Sequence, residues 1–405
     1  MKPPLEGIRV VDMTSVVVGP LCTQTLADYG ADVIKIEAPP GGDIARTLAG
    51  RGATPLMSGK FVHLNRNKRS LALDLKKPAG MDALKRLLAV SDVLIWNIRP
   101  PAMKRLGLSY EDVRKINPKI LYVGMFGFGQ DGRYRNKPAY DSIIQGAGGI
   151  AALNHMAYGE PLYLPMVTAD RSVGLISTQM VLLALFNRER TGEGASIEIP
   201  MFENITKYVL EEHMYLKTFD PPLGEVGDPR LLDPNARPIR TKDSWICISA
   251  NTNDQAFAIF EAIGKPELKD DPRFNSVAAR FRNVRDYFAV RAEGLSHKTT
   301  AAWVEILDRL DVPNMPYHTL DSLMEDPHLA EIGFFQTLDH PTEGKVRNMR
   351  LPNKTSFPAR TPVHGAPKLG QHSVDVLRDA GLSQAEIDAL AAAGAIIDGR
   401  LENKA

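Results

Sequence analysis

Cysteine is almost absent from this chain of 405 residues, with Cys22 and Cys247 as the only two. So few thiols in so long a chain exclude a disulfide framework and a cysteine zinc site, and fit a reducing, cytoplasmic setting. Net charge is nearly absent too: 49 basic residues oppose 48 acidic ones, a formal charge of +1. No overall field recruits nucleic acid or an anionic membrane, so an anionic ligand has to be held locally and the expected partners are small molecules. Long apolar runs are missing as well. Met1-Lys-Pro-Pro-Leu-Glu-Gly7 lacks the apolar stretch of a secretion signal. The segment from Leu175 to Phe186 reads as too short, and too broken by Ser177, Thr178 and Gln179, to span a bilayer. No G-x-S-x-G elbow and no G-x-x-x-x-G-K-[ST] loop occurs, which leaves a serine hydrolase or a P-loop enzyme without support. The nine histidines never pair at helical ligand spacing, so no metal is expected. What remains is 44% hydrophobic and 24% charged, ordinary for a soluble enzyme with a large core, at a length that predicts two domains.

The first half alternates strand and helix signals. Residues 8–12 read as a strand, 20–29 as a helix ended by Gly30, and 32–37 as the next strand. The pattern recurs with a strand at 70–74, a helix at 78–90 and a strand at 92–96, then a helix at 110–116 and a strand at 119–124. Strands separated by helical crossovers predict an α/β fold, a parallel sheet covered on both faces, with ligands outside the carboxyl ends of the strands. After a helix at 201–215 the chain turns rich in Pro, Gly and Asp, which marks a linker at 216–240 between residues 1–215 and a smaller α+β domain at 241–330. That domain shows a strand at 244–250 and helices at 255–263, 284–295 and 299–310. Residues 331–405 add two strands, 335–338 and 345–348, and a last helix at 383–393.

Asp170 stands out by its position. Leu164-Pro-Met-Val-Thr-Ala-Asp170-Arg-Ser-Val-Gly174 runs straight into the apolar segment, which places a carboxylate at a helix start. The first N–H groups of a helix are unpaired and partly positive, so such a carboxylate is expected to stay ionised at neutral pH and able to attack an electrophile. An ordinary capping aspartate would look the same. Gly127-Phe-Gly129-Gln-Asp-Gly132 matches G-x-G-x-x-G after a strand, but Arg133-Tyr-Arg-Asn-Lys-Pro138 does not continue as the helix that a dinucleotide pyrophosphate requires. Those glycines read as a turn.

Several stretches, in order, resemble the class III coenzyme A transferases, the CaiB/BaiF family, over essentially the whole chain. They include Leu5-Glu-Gly-Ile-Arg-Val-Val-Asp12, Val18-Gly-Pro20, 26–37, Gly41-Gly-Asp-Ile-Ala-Arg46, 65–76, 92–100, Ala139-Tyr-Asp141, Gly146-Ala-Gly-Gly149, Ala169-Asp170 and Arg190-Thr-Gly-Glu-Gly194. The resemblance makes Asp170 the catalytic nucleophile. It would attack an acyl-CoA thioester to give a mixed anhydride and then an aspartyl-CoA thioester, which an acceptor acid opens. CoA and acyl-CoA enter as substrates, and no tightly bound cofactor is implied. The CoA contacts implied by position are Val17 and Val18; Leu73, Asp74, Leu75 and Lys76; Asn97, Ile98 and Arg99; Arg105; Lys137; and Ala139, Tyr140 and Asp141. Small dicarboxylates and carnitine-like acids are the substrate classes implied. The family architecture implies a Rossmann-like large domain that recovers the C-terminal segment, and an obligate homodimer of two interlocked chains.

The chain departs from the family pattern at three places. Ala38 stands where relatives carry a basic residue, and only Gly224 and Gly227 remain of the glycine run that covers some active sites. Racemases of the family use a His-Asp pair where this chain has Tyr140-Asp141. Racemisation needs two acid/base groups flanking the α-carbon, and a tyrosine, with an ordinary pKa near 10, replaces histidine poorly at neutral pH. Transfer is therefore preferred over an acyl-CoA racemase, a dinucleotide oxidoreductase or a noncatalytic CoA-binding protein.

Overall fold

The computed structural model describes residues 1–48, 50–361 and 363–400. The chain forms two compact units, one of Met1–Gly148, Leu164–Lys207 and the described residues from Gly333 onward, the other of Gly149–Tyr163 and Tyr208–Ile332. The second unit begins inside the helix Met201–His213, ahead of the expected linker, and it also takes in Gly149–Tyr163. Part of the expected linker is tied down locally: the Gly227 N–H donates to the His213 carbonyl at 2.8 Å and Asp233 is buried.

In the first unit six strands run parallel: β1 (Arg9–Met13), β2 (Asp32–Glu37), β3 (Arg69–Leu73), β4 (Val93–Trp96), β5 (Leu121–Phe126) and β6 (Ala195–Pro200). Their order is β3-β2-β1-β4-β5-β6, and the short strand Ile396–Ile397 closes the β3 edge antiparallel. The inner strands are unbroken apolar runs: every residue of β4 and β5 is buried, as expected of strands covered on both faces. β6 was not expected. Its Ala-Ser-Ile-Glu-Ile-Pro alternates exposed and more buried residues, the pattern of an edge strand, and only Ile197 and Ile199 give it an apolar signal. Val11, Ile34, Leu71, Leu84, Leu94, Val113 and, from the C-terminal segment, Leu377 share one core. Backbone bonds from His372 to Ser70 and from Asn67 to His364 join that segment to β3 and its approach.

Three helices bear on the site: α1 (Val18–Asp28), α2 (Asp141–Ala147) and α3 (Thr168–Thr191). α3 ends at Gly192, whose φ of 74° lets its N–H turn back to the Arg188 carbonyl at 2.7 Å. It begins at Thr168, so that Asp170, where the sequence placed a helix start, lies in its first turn, and that polar turn is held by tertiary bonds rather than by an apolar stripe. At 24 residues it is long and apolar enough to cross a membrane by length and composition, correcting the shorter expectation. The core helix of a globular protein passes the same test, and α3 packs on α1 with Val173, Ser177 and Val181 wholly buried.

The second unit has a three-stranded antiparallel sheet in the order Ile239–Arg240, Trp245–Ile248, Asn314–Pro316. The helices Asn253–Ala262, Val284–Leu295 and Thr300–Arg309 accompany it. Ile246, Ile259, Leu295 and Trp303 form its core, and the Trp303 indole N–H is satisfied by the Leu295 carbonyl at 2.7 Å.

Candidate active site

Strand order reverses between β1 and β4, and the crevice beyond their carboxyl ends is where open parallel sheets bind ligands. Ser15, just past β1, and Asn97, just past β4, bridge it: the Ser15 N–H donates to Asn97 Oδ1 at 3.0 Å and Asn97 Nδ2 to the Ser15 carbonyl at 2.9 Å. Between Ser15 and α1 lies Val16 with φ 69°, a left-handed backbone that a β-branched residue adopts only when its surroundings impose it. Asp43 does so by accepting the Val16 N–H at 3.1 Å. Gly19 is required here, since a Cβ would lie 2.2 Å from the Thr14 side chain.

Beneath this loop lies a charge cluster that the sequence did not announce. Asp12, Glu37 and Asp43 face Lys35, Arg46 and Lys68, and all six are buried. Lys68 meets Asp12 at 3.1 Å, Lys35 meets Asp43 at 2.9 Å, and Arg46 clasps Glu37 through two bonds of 2.7 Å. Three negative charges thus balance three positive ones. Burial alone would raise the Asp12 carboxyl, but the Lys68 and Lys35 charges and the Thr14 and Thr23 hydroxyls outweigh it and hold the group at about 2. Burial draws the Lys68 ammonium down to about 8, still above neutrality, so the pair is ionic at pH 7. Lys35 also donates to the Thr14 carbonyl at 2.8 Å, and Asp12 accepts the Thr14 N–H at 2.9 Å, which anchors the loop to the cluster.

Asp170 occupies the first turn of α3 and is buried. It is not the cap. Val167 holds that position without a side-chain bond, and the Asp170 N–H is taken by Asp141 Oδ1 on α2 at 3.0 Å. Gln145 donates to Asp141 Oδ2 at 2.6 Å and to the Met166 carbonyl at 3.0 Å, and accepts the Leu164 N–H at 2.9 Å, so α2 fixes the entry to α3. Among the described residues no hydrogen bond reaches the Asp170 carboxyl oxygens. The expectation of a carboxylate fully ionised at neutral pH is corrected: burial, and then the negative charge of Asp141, push Asp170 up to about 7, against weaker opposition from Lys60 and Arg171. α3 reaches α1 closely because position 174 is glycine; a Cβ there would stand 2.8 Å from the Val18 carbonyl oxygen.

Asp170 lines a cavity of about 500 Å³. Of the residues expected to touch CoA, Val17, Val18, Asn97, Arg99, Lys137, Ala139 and Tyr140 line it as well. Val17 and Val18 bring the N-terminus of α1, whose first N–H groups have no side-chain cap. Such a terminus favours anions and developing oxyanions. Arg99 and Lys137 are exposed cations at its wall, with Lys137 over the Tyr134 ring at 4.6 Å. The other expected positions do not line this cavity. Leu73 is buried in the sheet core, Leu75 and Ile98 pack against that core, and Asp74 is bonded to the Lys76 N–H. Lys76 and Arg105 are exposed elsewhere in the unit, and Asp141 stands behind Asp170. Sequence reasoning missed Val16, Arg135, Asn136 and Met201. The run Arg133 to Lys137 signalled local positive charge, whereas Met201 depended on the unread strand β6.

Gly127 and Gly129 form a turn, as expected: Gly127 packs on Ala139, the Gly129 N–H donates to Glu203 at 2.8 Å, and no helix follows before Asp141. Among the described residues no group of three or more His, Cys, Asp or Glu side chains is arranged to hold a metal ion.

The family model described as CoA-transferase family III matches residues 5–373. A formyl-CoA:oxalate CoA-transferase of Escherichia coli O6:H1 is 32% identical over 414 aligned residues, covering 96% of this chain and 99% of the relative. A CAIB/BAIF family protein from Brucella suis, of known crystal structure, matches with a TM-score of 0.78 at 29% identity, over 94% of this chain and 100% of that one. Rv3272 from Mycobacterium tuberculosis matches with a TM-score of 0.78 at 28% identity, over 92% and 99%.

Proposed function

The chain belongs to CoA-transferase family III, and from that premise we propose that it moves CoA from an acyl-CoA donor to a small carboxylic acid, with Asp170 as covalent nucleophile. The observation that carries this reading is the cavity itself. It joins a buried carboxylate free of described hydrogen bonds to the uncapped N-terminus of α1.

An Asp170 oxygen attacks the thioester carbonyl, the C–S bond breaks, and a mixed anhydride forms as CoA leaves as the thiolate. The thiolate attacks the aspartyl carbonyl, expels the donor acid as a carboxylate and leaves an aspartyl-CoA thioester. The acceptor carboxylate attacks that thioester, giving a second anhydride and the thiolate again. The thiolate then takes the acceptor acyl group and frees Asp170. No proton is consumed over the cycle, and the energy of the thioester is kept at each exchange. Each tetrahedral stage carries an oxyanion, which the Val18 and Gly19 N–H groups are suited to receive. Poor solvation makes the Asp170 carboxylate a stronger nucleophile than one in water, while burial protects the anhydride from hydrolysis. Arg99 and Lys137 supply charge for the CoA phosphates.

The strand order supports a Rossmann-like, CoA-binding first unit that recovers the C-terminal segment. A homodimer of interlocked chains follows from the same family reading. Leu175, Leu183 and Phe186 of α3, each more than half exposed, provide an apolar surface for a second copy. The E. coli relative is named for formyl-CoA and oxalate, which puts short acyl groups and small dicarboxylates first among the candidates.

The test is a matrix of acyl-CoA donors and acids, including formyl-CoA and oxalate, with CoA esters followed by mass spectrometry. New acyl-CoA is expected only where donor and acceptor are both present. Exchange of the donor's α-proton with solvent in the absence of an acceptor acid would instead establish the racemase, which Tyr140 in place of histidine argues against.

A further inference from the structure

A second cavity, of about 370 Å³, is lined entirely by residues of the second unit, and none of them lines the Asp170 cavity. Its size is that of a small-molecule site. Four arginines line it, Arg230, Arg237, Arg280 and Arg291, and its lining contains no Asp or Glu.

Arg291, on the helix Val284–Leu295, is 7% exposed, and its Nε makes no hydrogen bond to any described residue. The guanidinium lies 5.0 Å from the Tyr287 ring centre and 5.1 Å from that of Phe288, and reaches the Ile248 carbonyl only at 3.4 Å. Burial holds it below the ordinary arginine value. Arg280, 4% exposed, donates to the Phe274 and Thr252 carbonyls and to the Asn253 side-chain oxygen, all uncharged acceptors. Arg230 has its nearest carboxylate, Asp228, at 3.8 Å, and its Nε is also buried without a described partner. In the first unit the buried cations are matched one for one by carboxylates. Here they are not. Ring faces offset part of the desolvation of a guanidinium but do not use its in-plane N–H groups, and on Arg291 those not turned to the Ile248 carbonyl remain available to an anion with two oxygens in a plane. Leu231, Phe281 and Val284 add hydrocarbon to a wall that also carries Asn235, Ser249 and Asn251, and an inorganic anion would leave that apolar surface unfilled.

We propose that this cavity binds a small organic acid, its carboxylate received by Arg291 and Arg237 and its apolar body lying against Tyr287 and Phe281. The site is independent of acyl transfer, and its test needs no CoA ester.

Calorimetric titration of the full chain with hexanoate, hexanamide and inorganic phosphate decides it. Hexanoate is expected to bind at one saturable site, unchanged in Asp170→Asn, with hexanamide and phosphate at least about tenfold weaker. Arg291→Gln is expected to weaken hexanoate about tenfold, and Arg237→Gln, at an exposed position whose loss the fold tolerates, at least about threefold. If Arg291→Gln does not fold, Arg237→Gln decides alone. The proposal is overturned by absence of saturable hexanoate binding, by equal binding of hexanamide or phosphate, by loss of binding in Asp170→Asn, or by unchanged binding in Arg237→Gln.

Discussion

Replacing Asp170 with asparagine is expected to lower transferase turnover by a factor of about 10⁴ or more, the scale seen when a covalent nucleophile is removed, while making the protein more stable at pH 8. The two effects share one cause. Asp170 titrates near 7 because ionising it means charging a buried group beside Asp141, against an unperturbed 3.8. Between pH 4 and 7 the native state therefore keeps a proton that the unfolded chain has lost, and stability falls as pH rises, by up to about 1.4 kcal/mol per unit. Asparagine carries no such penalty. The variant should match the wild type near pH 3 and gain progressively above pH 4. The gain levels off above pH 7 at an order of 2–4 kcal/mol, seen as a rise in thermal midpoint at fixed protein concentration. In the wild type, kcat/KM should climb roughly tenfold per pH unit below 7 and flatten above it, as the ionised nucleophile accumulates. Equal stability of the two proteins at pH 8 would show that Asp170 is not held protonated by its surroundings.

The second large effect lies in the buried charge cluster. Lys68→Met leaves Asp12 ionised, buried and short of its partner, a situation that costs about 3–5 kcal/mol. Adding Asp12→Asn removes the stranded charge, so the double variant should recover most of the loss in urea denaturation. Activity should not recover with it. Asp12 and Lys35 hold Thr14, and Asp43 holds Val16 in its left-handed conformation, so loosening the cluster releases the loop that presents the N-terminus of α1. A double variant as unstable as the single one would mean that Lys68 acts through packing rather than through charge.

Much of the framework was legible because parallel strands are written as short apolar runs and crossover helices as periodic ones. The helices at 110–116 and 284–295 fall where their patterns put them. β6 escaped because an edge strand needs only alternate inward residues, and Ile197 and Ile199 alone carry that signal. The bonds that hold the first turn of α3 escaped for a different reason: they come from Asp141 and Gln145 on another helix, which no local pattern records. The same distance explains Asp170. Its place in the first turn suggested an ionised cap, but the acidity of the group is set by burial and by a carboxylate distant in the sequence. Arg230, Arg237, Arg280 and Arg291 look like solvated surface charges one at a time, and only folding collects them around one cavity.

The most direct measurement is of the acylated carboxylate itself. The protein is mixed with an acyl-CoA donor, quenched with hydroxylamine and digested, and the peptides are weighed by mass spectrometry. A hydroxamate is expected on the peptide containing Asp170, dependent on donor and absent from Asp170→Ala. Turnover that persists in Asp170→Ala, or a modification at another carboxylate, would contradict covalent catalysis by Asp170.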